Sequence, residues 1–371
     1  MKNFIILFIS CILFSGLVQQ NSMACTTFQL NHSGQIFVGK NYDWMVEDGL
    51  VIVNKRGLSK TAMRSVTDPG TGNPANWTSK YGSITFNQYG REAPAGGMNE
   101  AGLVVESMAL METRYPEPDS RASISMIQWI QYQLDNFASV KEVIESDAQL
   151  RIRPKKGVSL HYLVSDRQGN CVAIEFIDGK RVCHTGKTMP YKALTNSTYA
   201  ESVEFLKQGK LPEPDKAEST ERFINAANKV KNYKPGDSKS PLDYSFDILK
   251  STSWSTEEKW KDTSWTTDTK WSIVYDVHNL RISFRTLKNQ QIRSINLKSF
   301  DFSCTTPVRV LDITAELSGD VTKKFIDYTQ QINRKLIGDA LRKTPYLPRF
   351  PDDKLDSLSK YPDKNVCKKQ G

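Results

Sequence analysis

Cys25 is the clearest candidate for a reactive residue in the chain, because it directly follows the small-residue pattern Ser22-Met23-Ala24. If a peptidase cuts after Ala24, Cys25 carries both a thiol, with an ordinary pKa of about 8.5, and an α-amine, with one of about 7.7 to 8.0. The two groups can then exchange a proton near neutral pH. The thiolate attacks a carbonyl carbon, and the amine returns the proton to a leaving nitrogen. The pattern predicts cleavage of amide bonds without a histidine.

The cut itself is predicted by the N-terminal residues. Lys2 precedes an apolar block from Phe4 to Val18, and the small residues follow, which is typical of a signal peptide over residues 1–24. A block of about 15 apolar residues is short for a membrane anchor, which needs roughly 18 to 20. We therefore expect a periplasmic or secreted protein with no integral membrane span after signal removal.

A cysteine directly after a signal peptide has a second possible fate, which is lipidation. Lipoprotein sites favour a leucine-like residue three places before the cysteine, and this chain has Ser22 there. Lipidation would also block the α-amine. The sequence favours catalysis, and the alternative is a non-catalytic binding lipoprotein anchored through Cys25.

A predicted hairpin positions further polar groups near Cys25. Residues 25–30 and 35–41 are β-rich, and the sequence from Asn31 to Gly34 between them has turn chemistry. A four-residue loop would place Cys25 opposite Lys40, whose charge would lower the pKa of the thiol. Asp43, at the end of the second strand, could hold the α-ammonium group.

The rest of the chain alternates between strand and helix patterns. Helical spacing runs from Met126 to Phe137, and Ser139 is a candidate N-cap for a second helix. Residues 160–176 and 271–297 alternate like antiparallel strands, and residues 218–231 between them form a helix pattern. Helices grouped between antiparallel strands favour an α+β layered fold.

The C-terminal part is predicted to form one helix and a tail. Apolar positions recur at helical spacing from Val321 to Leu341, and Pro345, Pro348 and Pro351 then indicate an extended segment. We assign residues 316–371 to this C-terminal helix and extended tail, which could serve in homo-oligomer contacts.

Composition excludes several classes of function. Of the residues, 39% are hydrophobic and 25% charged, as in ordinary globular proteins, so disorder is not expected. The net charge of +9 comes from Lys and Arg interleaved with Asp and Glu, so no nucleic-acid binding is predicted. No His, Cys and Asp cluster has ligand spacing, and we expect no metal and no cofactor.

Cysteines and histidines give weaker signals. Once Cys11 leaves with the signal peptide, five cysteines remain, and an odd number fits one reactive thiol plus up to two disulfides. The pairing of the others is left open, as is the alternative that all are reduced: Cys171, Cys183, Cys304 and Cys367. The four histidines lie in no context typical of a papain-like protease, and we interpret each as a strand or turn residue: His32, His161, His184 and His278.

Several motifs together resemble the choloylglycine hydrolase family, which includes bile salt hydrolases and penicillin V acylases. The first are Cys25-Thr26-Thr27 and Gly39-Lys40-Asn41-Tyr42-Asp43-Trp44. Further matches follow in the family's order: Gly97-Met98-Asn99-Glu100-Ala101-Gly102-Leu103, Leu160-His161-Tyr162, Leu194-Thr195-Asn196-Ser197 and Glu221-Arg222-Phe223-Ile224. The resemblance extends to about Leu297, and we assign residues 25–315 to an N-terminal-nucleophile hydrolase domain.

The resemblance implies a four-layer αββα sandwich with two antiparallel sheets, and it implies roles for four residues. Cys25 would be nucleophile and base, Asp43 would position the amine, Asn196 would donate to the oxyanion, and Arg222 would complete the charged cluster. Lys40 stands where the bile salt hydrolases have an arginine, which keeps the charge and loses the planar fork.

The substrate that the resemblance implies is a small-molecule N-acyl amide. A conjugated bile salt, penicillin V and an N-acyl homoserine lactone all belong to this type. The predicted contacts to the substrate are Trp44, Met108 and Ala109, whose apolar character favours a hydrophobic acyl group.

Overall fold

The structure is a computed structural model that describes residues 24–63, 73–154, 159–209, 214–234, 236, 239–260, 263–345, 347 and 349–368. The predicted signal peptide, apart from Ala24, lies outside the described residues. The strands are β1 Cys25–His32, β2 Gln35–Trp44, β3 Leu50–Asn54, β4 Leu58–Thr61, β5 Asn76–Thr78, β6 Ser83–Asn87, β7 Pro94–Asn99, β8 Val104–Ala109, β9 Ala122–Ile124, β10 Leu150–Ile152, β11 Leu160–Ser165, β12 Cys171–Ile177, β13 Lys180–Thr185, β14 Ala193–Leu194, β15 Ser255–Trp260, β16 Thr263–Asp276, β17 Arg281–Thr286, β18 Arg293–Asn296, β19 Arg309–Asp312, β20 Gly319–Asp320, β21 Ile326–Asp327 and β22 Val366–Cys367. The helices are α1 Met126–Asn136, α2 Val140–Glu145, α3 Tyr199–Gln208, α4 Pro214–Asn232, α5 Pro241–Ser251, α6 Gln330–Lys343 and α7 Asp352–Lys360.

Two large sheets pack face to face. The first has the order β14-β1-β2-β16-β17-β18-β20, with β15 also paired to β16, and only its β18–β20 pair is parallel. The second is antiparallel throughout, in the order β13-β12-β11-β8-β7-β6-β3-β19-β21. Apolar side chains from both sheets, such as Val38, Val51 and Leu163, belong to one buried cluster between them. Burial of this apolar area is the main stabilising contribution.

Helices cover the two outer faces. On the eight-stranded sheet, α4 and α5 pack against β1, β2 and β16, and α3 packs on α4. On the nine-stranded sheet, α1 packs against β7 and β8 through Trp129 and Ile130. The layers are therefore helix, sheet, sheet, helix, which confirms the predicted αββα sandwich. Within the described ranges, every helix is too short or too polar to cross a membrane.

Local sequence signals set several element ends. Ser125 accepts a hydrogen bond from the Gln128 backbone at the start of α1, and Ser139 forms a reciprocal capping box with Glu142 at the start of α2. Such caps satisfy backbone N–H groups that the helix leaves unpaired. Both helices begin where the sequence predicts.

The first hairpin differs from the prediction in its register. The turn consists of two residues, Ser33 and Gly34, with φ values of 49° and 90°, and positive φ at both positions is typical of a two-residue hairpin turn. As a result Cys25 lies opposite Tyr42, and Lys40 lies opposite Thr27. The predicted pairing of Cys25 with Lys40 is wrong by two residues. Because side chains alternate with a period of two, Lys40 still lies on the same face as Cys25.

The C-terminal segment also differs from the prediction. Helix α6 begins at Gln330, after the N-cap Thr329, because the preceding residues form β21, which pairs with β19. The segment predicted as an extended tail contains α7, and a disulfide joins Cys304 to Cys367. Cys171 and Cys183 are free thiols.

Candidate active site

Cys25 is the first residue of β1, and only 7% of it is exposed. Its backbone nitrogen, here the amide of the bond to Ala24, donates a hydrogen bond to Asn196 Oδ1 at 2.5 Å. Its carbonyl oxygen accepts one from Arg222 Nη1 at 2.6 Å. Both backbone groups of Cys25 are therefore held by residues that the sequence singled out.

The thiol of Cys25 experiences opposing influences. Burial raises its pKa above the ordinary value, and the negative charge of Asp43 also raises it. The charges of Lys40 and Arg222 and the backbone N–H of Asp43 lower it, but burial prevails. The thiol is thus protonated at neutral pH, and it needs a base before it can attack a carbonyl carbon.

Asp43 lies near the end of β2 and is 1% exposed. Its Oδ1 accepts a hydrogen bond from the Thr269 hydroxyl at 2.5 Å, and its Oδ2 has no hydrogen-bond partner among the residues that the structure describes. Burial raises the pKa of this carboxyl to about 7, although Arg222, Thr269 and Lys40 lower it. The sequence did not indicate Thr269. Its only signal was its place two residues before the strand pattern that starts at Trp271.

Asn196 lies between β14 and α3, and Arg222 lies in α4. Asn196 Nδ2 donates to the Ala109 carbonyl at 2.8 Å, and Asn196 Oδ1 also accepts from Arg222 Nη2 at 3.3 Å. The guanidinium donates further to Thr26 Oγ1 at 3.0 Å and lies over the Trp254 ring. Arg222 therefore links the strand of Cys25 to Asn196, which a lone helix-surface arginine could not do.

Lys40 is 1% exposed and lies diagonally from Cys25 across the hairpin. Its ammonium group donates to the Ser107 carbonyl in the facing sheet. Its charge lowers the pKa of both Cys25 and Glu106, a buried acid of that sheet. Lys40 is thus a cation fixed between the sheets.

The three predicted substrate contacts have different settings. Met108 belongs to the same apolar cluster as Cys25, and Ala109 contributes the carbonyl that holds Asn196. Trp44 is half-buried, and its Nε1 donates to the Tyr89 hydroxyl at 2.8 Å. Met108 and Ala109 therefore lie with the cluster around Cys25, and Trp44 is tied to a different loop.

Within the described part of the chain, no three His, Cys, Asp or Glu side chains converge on a place for a metal ion. The cluster instead combines a thiol at the beginning of a strand, a buried acid, two cations and a carboxamide. Such a set can move one proton, stabilise developing negative charge and orient a carbonyl group.

Comparison with known proteins places this chain in a family. A family profile described as linear amide C–N hydrolases, choloylglycine hydrolase family, matches residues 25–210. The chain is 30% identical over 261 residues to penicillin V acylase from Pectobacterium atrosepticum. The aligned region covers 61% of this chain and 69% of that protein.

Solved structures show the same architecture. Penicillin V acylase from Agrobacterium tumefaciens superimposes with a TM-score of 0.67 at 26% identity, over 82% of this chain and 98% of that one. A variant of conjugated bile acid hydrolase from Clostridium perfringens gives a TM-score of 0.65 at 20% identity, over 79% and 98%, which is a likeness of fold. On the extent of the profile match, the chain belongs to the choloylglycine hydrolase family of linear amide C–N hydrolases.

Proposed function

We propose that the protein is an exported cysteine amidase that becomes active when a signal peptidase removes residues 1–24. Cys25 then acts as nucleophile and, through its α-amine, as general base on an N-acyl substrate. The observation that carries this proposal is the convergence on Cys25 of Asp43, Asn196 and Arg222, which come from separate elements.

The need for cleavage follows from the chemistry of nitrogen. While Ala24 is attached, the nitrogen of Cys25 is an amide and cannot accept a proton. Burial meanwhile holds the pKa of the thiol above its ordinary value. Cleavage would create an amine at the nitrogen that now lies 2.5 Å from Asn196 Oδ1. That contact would orient the amine, and the carboxylate of Asp43 would supply an opposing charge.

The reaction then proceeds through a thioester. The thiol proton moves to the α-amine as sulfur bonds to the acyl carbon, and the carbonyl oxygen becomes an oxyanion. The proton passes to the leaving nitrogen, the C–N bond breaks, and the amine departs. Water, deprotonated by the same α-amine, attacks the thioester and releases the carboxylic acid and the thiol.

Asn196 is suited to stabilise the oxyanion. A carboxamide nitrogen has two hydrogens, and Asn196 Nδ2 gives one of them to the Ala109 carbonyl. No second acceptor contacts that nitrogen among the described residues, so its other hydrogen can bind the substrate oxygen. One such donor contributes about 3 to 4 kcal/mol to the transition state.

We infer an apolar acyl group from the surroundings of the thiol. Met108 and Cys25 belong to one apolar cluster, and an acyl chain bound beside the thiol would contact the same side chains. The penicillin V acylases to which the chain is similar are named for penicillin V, which is therefore included among the substrates to be tested.

The burial of Cys25 argues against the lipoprotein alternative. Ala24 and Cys25 are 2% and 7% exposed. A diacylglyceryl group on this sulfur would have to leave a packed interior to reach a membrane. Intact mass of the exported protein decides between the two: we expect a chain that starts with unmodified Cys25, and an added diacylglyceryl mass would contradict the amidase.

A substrate panel tests the activity. Purified protein starting at Cys25 is offered penicillin V, a glycine-conjugated bile salt and a series of N-acyl homoserine lactones. We expect amine release from at least one of them, with loss of all turnover in Cys25→Ala. Cys171→Ala is the matched control, because it removes another buried free thiol and should keep the activity. Equal activity of Cys25→Ala and wild type would refute the proposal.

A further inference from the structure

His161 lies in β11, with none of its surface exposed, and neither of its ring nitrogens faces solvent. Nε2 lies 2.6 Å from the carbonyl oxygen of Thr195, and Nδ1 lies 3.1 Å from Glu175 Oε1. A carbonyl oxygen can only accept a hydrogen bond, so Nε2 carries a hydrogen. The residue that follows Thr195 is Asn196.

Glu175 is 1% exposed and supplies the second half of this arrangement. Burial opposes its ionisation, but hydrogen bonds from His161 and His184 lower its pKa to about 2, so it is a carboxylate. His161 Nδ1 and Glu175 Oε1 are joined by a buried hydrogen bond.

The same carboxylate holds the other side of Asn196. Glu175 Oε1 accepts the backbone N–H of Tyr199, the first residue of α3, at 2.9 Å. One acid thus fixes Thr195 through His161 and fixes Tyr199 directly. Asn196 lies between these two attachment points, and its own backbone N–H donates to Ser219 Oγ at 2.9 Å.

We propose that His161 and Glu175 are positioning residues that clamp the segment from Thr195 to Tyr199, so that the Asn196 carboxamide meets the reacting carbonyl oxygen. The inference rests on the proposed function, because it assigns Asn196 to the oxyanion. His161 touches neither Cys25 nor the substrate in this account. It acts through Asn196, and misplacement of a catalytic group by about 1 Å can reduce turnover by about 100-fold.

The main variant is His161→Phe, which keeps a ring and removes both donors. We expect kcat to fall by about 10- to 100-fold while KM stays within about threefold, since the lost interaction acts mainly in the transition state. Tyr162→Phe is the matched control. It is the adjacent residue of β11, it is equally buried, and it loses a 2.8 Å hydrogen bond to the Met126 carbonyl on the other face of the sheet. Its kcat should remain within about twofold of wild type.

Two further readouts separate positioning from a loss of structure. Alkylation of Cys25 by iodoacetamide needs no oxyanion donor and depends on Asn196 only through the contact of its Oδ1 with the amine, so His161→Phe should slow alkylation much less than it lowers kcat. In an Asn196→Ala background, His161→Phe should cost little more activity, because residues that act as a unit are not additive. A full additional loss in the double variant, or an equal fall in alkylation, would overturn the clamp.

An NMR measurement tests the clamp without any turnover. With only four histidines in the chain, selective ¹⁵N labelling should resolve a His161 ring that carries a hydrogen on Nε2. The Asn196 side-chain amide signals should shift in His161→Phe and stay in place in Tyr162→Phe. Unmoved Asn196 signals, or a His161 ring without a hydrogen on Nε2, would refute the clamp. Absence of amide hydrolysis in wild type would instead refute the proposed function.

Discussion

Two glutamates on the inner face of the nine-stranded sheet show how neighbours decide the charge of a buried acid. Glu106 in β8 and Glu175 in β12 are each 1% exposed. The pKa of Glu106 is raised to about 7, and that of Glu175 is lowered to about 2. Residue type, sheet and burial are the same, so the difference comes from the groups in contact.

The contacts of the two acids differ in number and kind. Glu106 accepts one hydrogen bond, from the Tyr275 hydroxyl, while the nearby Lys40 ammonium binds the Ser107 carbonyl instead. Glu175 accepts from His161 and from the Tyr199 backbone. Direct donors stabilise a carboxylate more than burial destabilises it, and one neutral donor is too few. Near the candidate active site, the nine-stranded sheet thus holds one glutamate that is charged at neutral pH and one that titrates near neutrality.

The largest expected effect is the loss of the Glu175 carboxylate. Glu175→Leu would leave His161 Nδ1 and the backbone N–H of Tyr199 without their buried acceptor, and each such unsatisfied group costs about 1 to 3 kcal/mol of unfolding free energy. Urea unfolding at pH 7 measures this, with Glu106→Leu as the control. Because Glu106 is close to half-ionised at that pH, its variant should lose clearly less. Equal losses of unfolding free energy in the two variants would contradict the difference proposed between the two glutamates.

The next effect is the loss of folding stability at acid pH. Glu175 has a folded pKa of about 2, below its unfolded value, so its stabilisation is complete above about pH 4.5 and disappears as the pH falls towards 2. The contribution is on the order of 2 to 3 kcal/mol. In Glu175→Gln this part of the acid-dependent loss should be missing when unfolding is followed between pH 5 and pH 2. If Glu175→Gln lost as much stability as wild type between pH 5 and pH 2, other carboxylates would be responsible for that loss.

Glu106 should show the opposite sign at higher pH. Its folded pKa of about 7 lies above the unfolded value, so the folded state retains a proton that the unfolded state has released. Stability therefore falls as the pH rises from about 4.5 to 7. Glu106→Gln should be more stable than wild type at pH 8, by about 2 to 3 kcal/mol, and similar to it at pH 4.5. A variant less stable than wild type at pH 8 would contradict the assignment.

The smallest effect concerns the single donor to Glu106. Tyr275→Phe removes that hydrogen bond and should cost about 1 kcal/mol. It should also raise the folded pKa of Glu106, so the stability difference between Glu106→Gln and its parent should level off at a higher pH. Stability-versus-pH curves of wild type and of Tyr275→Phe, each measured with and without Glu106→Gln, test this. A shift to lower pH would mean that another group holds the carboxylate.

Much of the site was predictable because its residues lie in short local patterns. Cys25, Asp43, Asn196 and Arg222 were chosen from motifs, and the fold brings them into contact. The αββα layers followed from the family resemblance, and the starts of α1 and α2 followed from their caps.

Other features depend on information that a local pattern lacks. The hairpin register follows from turn length, and the sequence from Asn31 to Gly34 is compatible with either a four-residue loop or a two-residue turn. The late start of α6 results from strand pairing between β21 and β19, which overrides a helical pattern. From the sequence, His161 was interpreted as an ordinary strand residue. Its partners Glu175 and Thr195 are distant in sequence and contact it only in the folded protein.

The Cys304–Cys367 disulfide has a practical consequence for how this protein would be studied. The bond turns the chain between those two cysteines into a covalent ring that includes α6 and α7. A protease that cuts once inside the ring would leave both fragments attached, and the break would be visible only on a gel run with reductant. Proteolysis assays on oxidised protein therefore underreport damage to this region unless each sample is also analysed reduced.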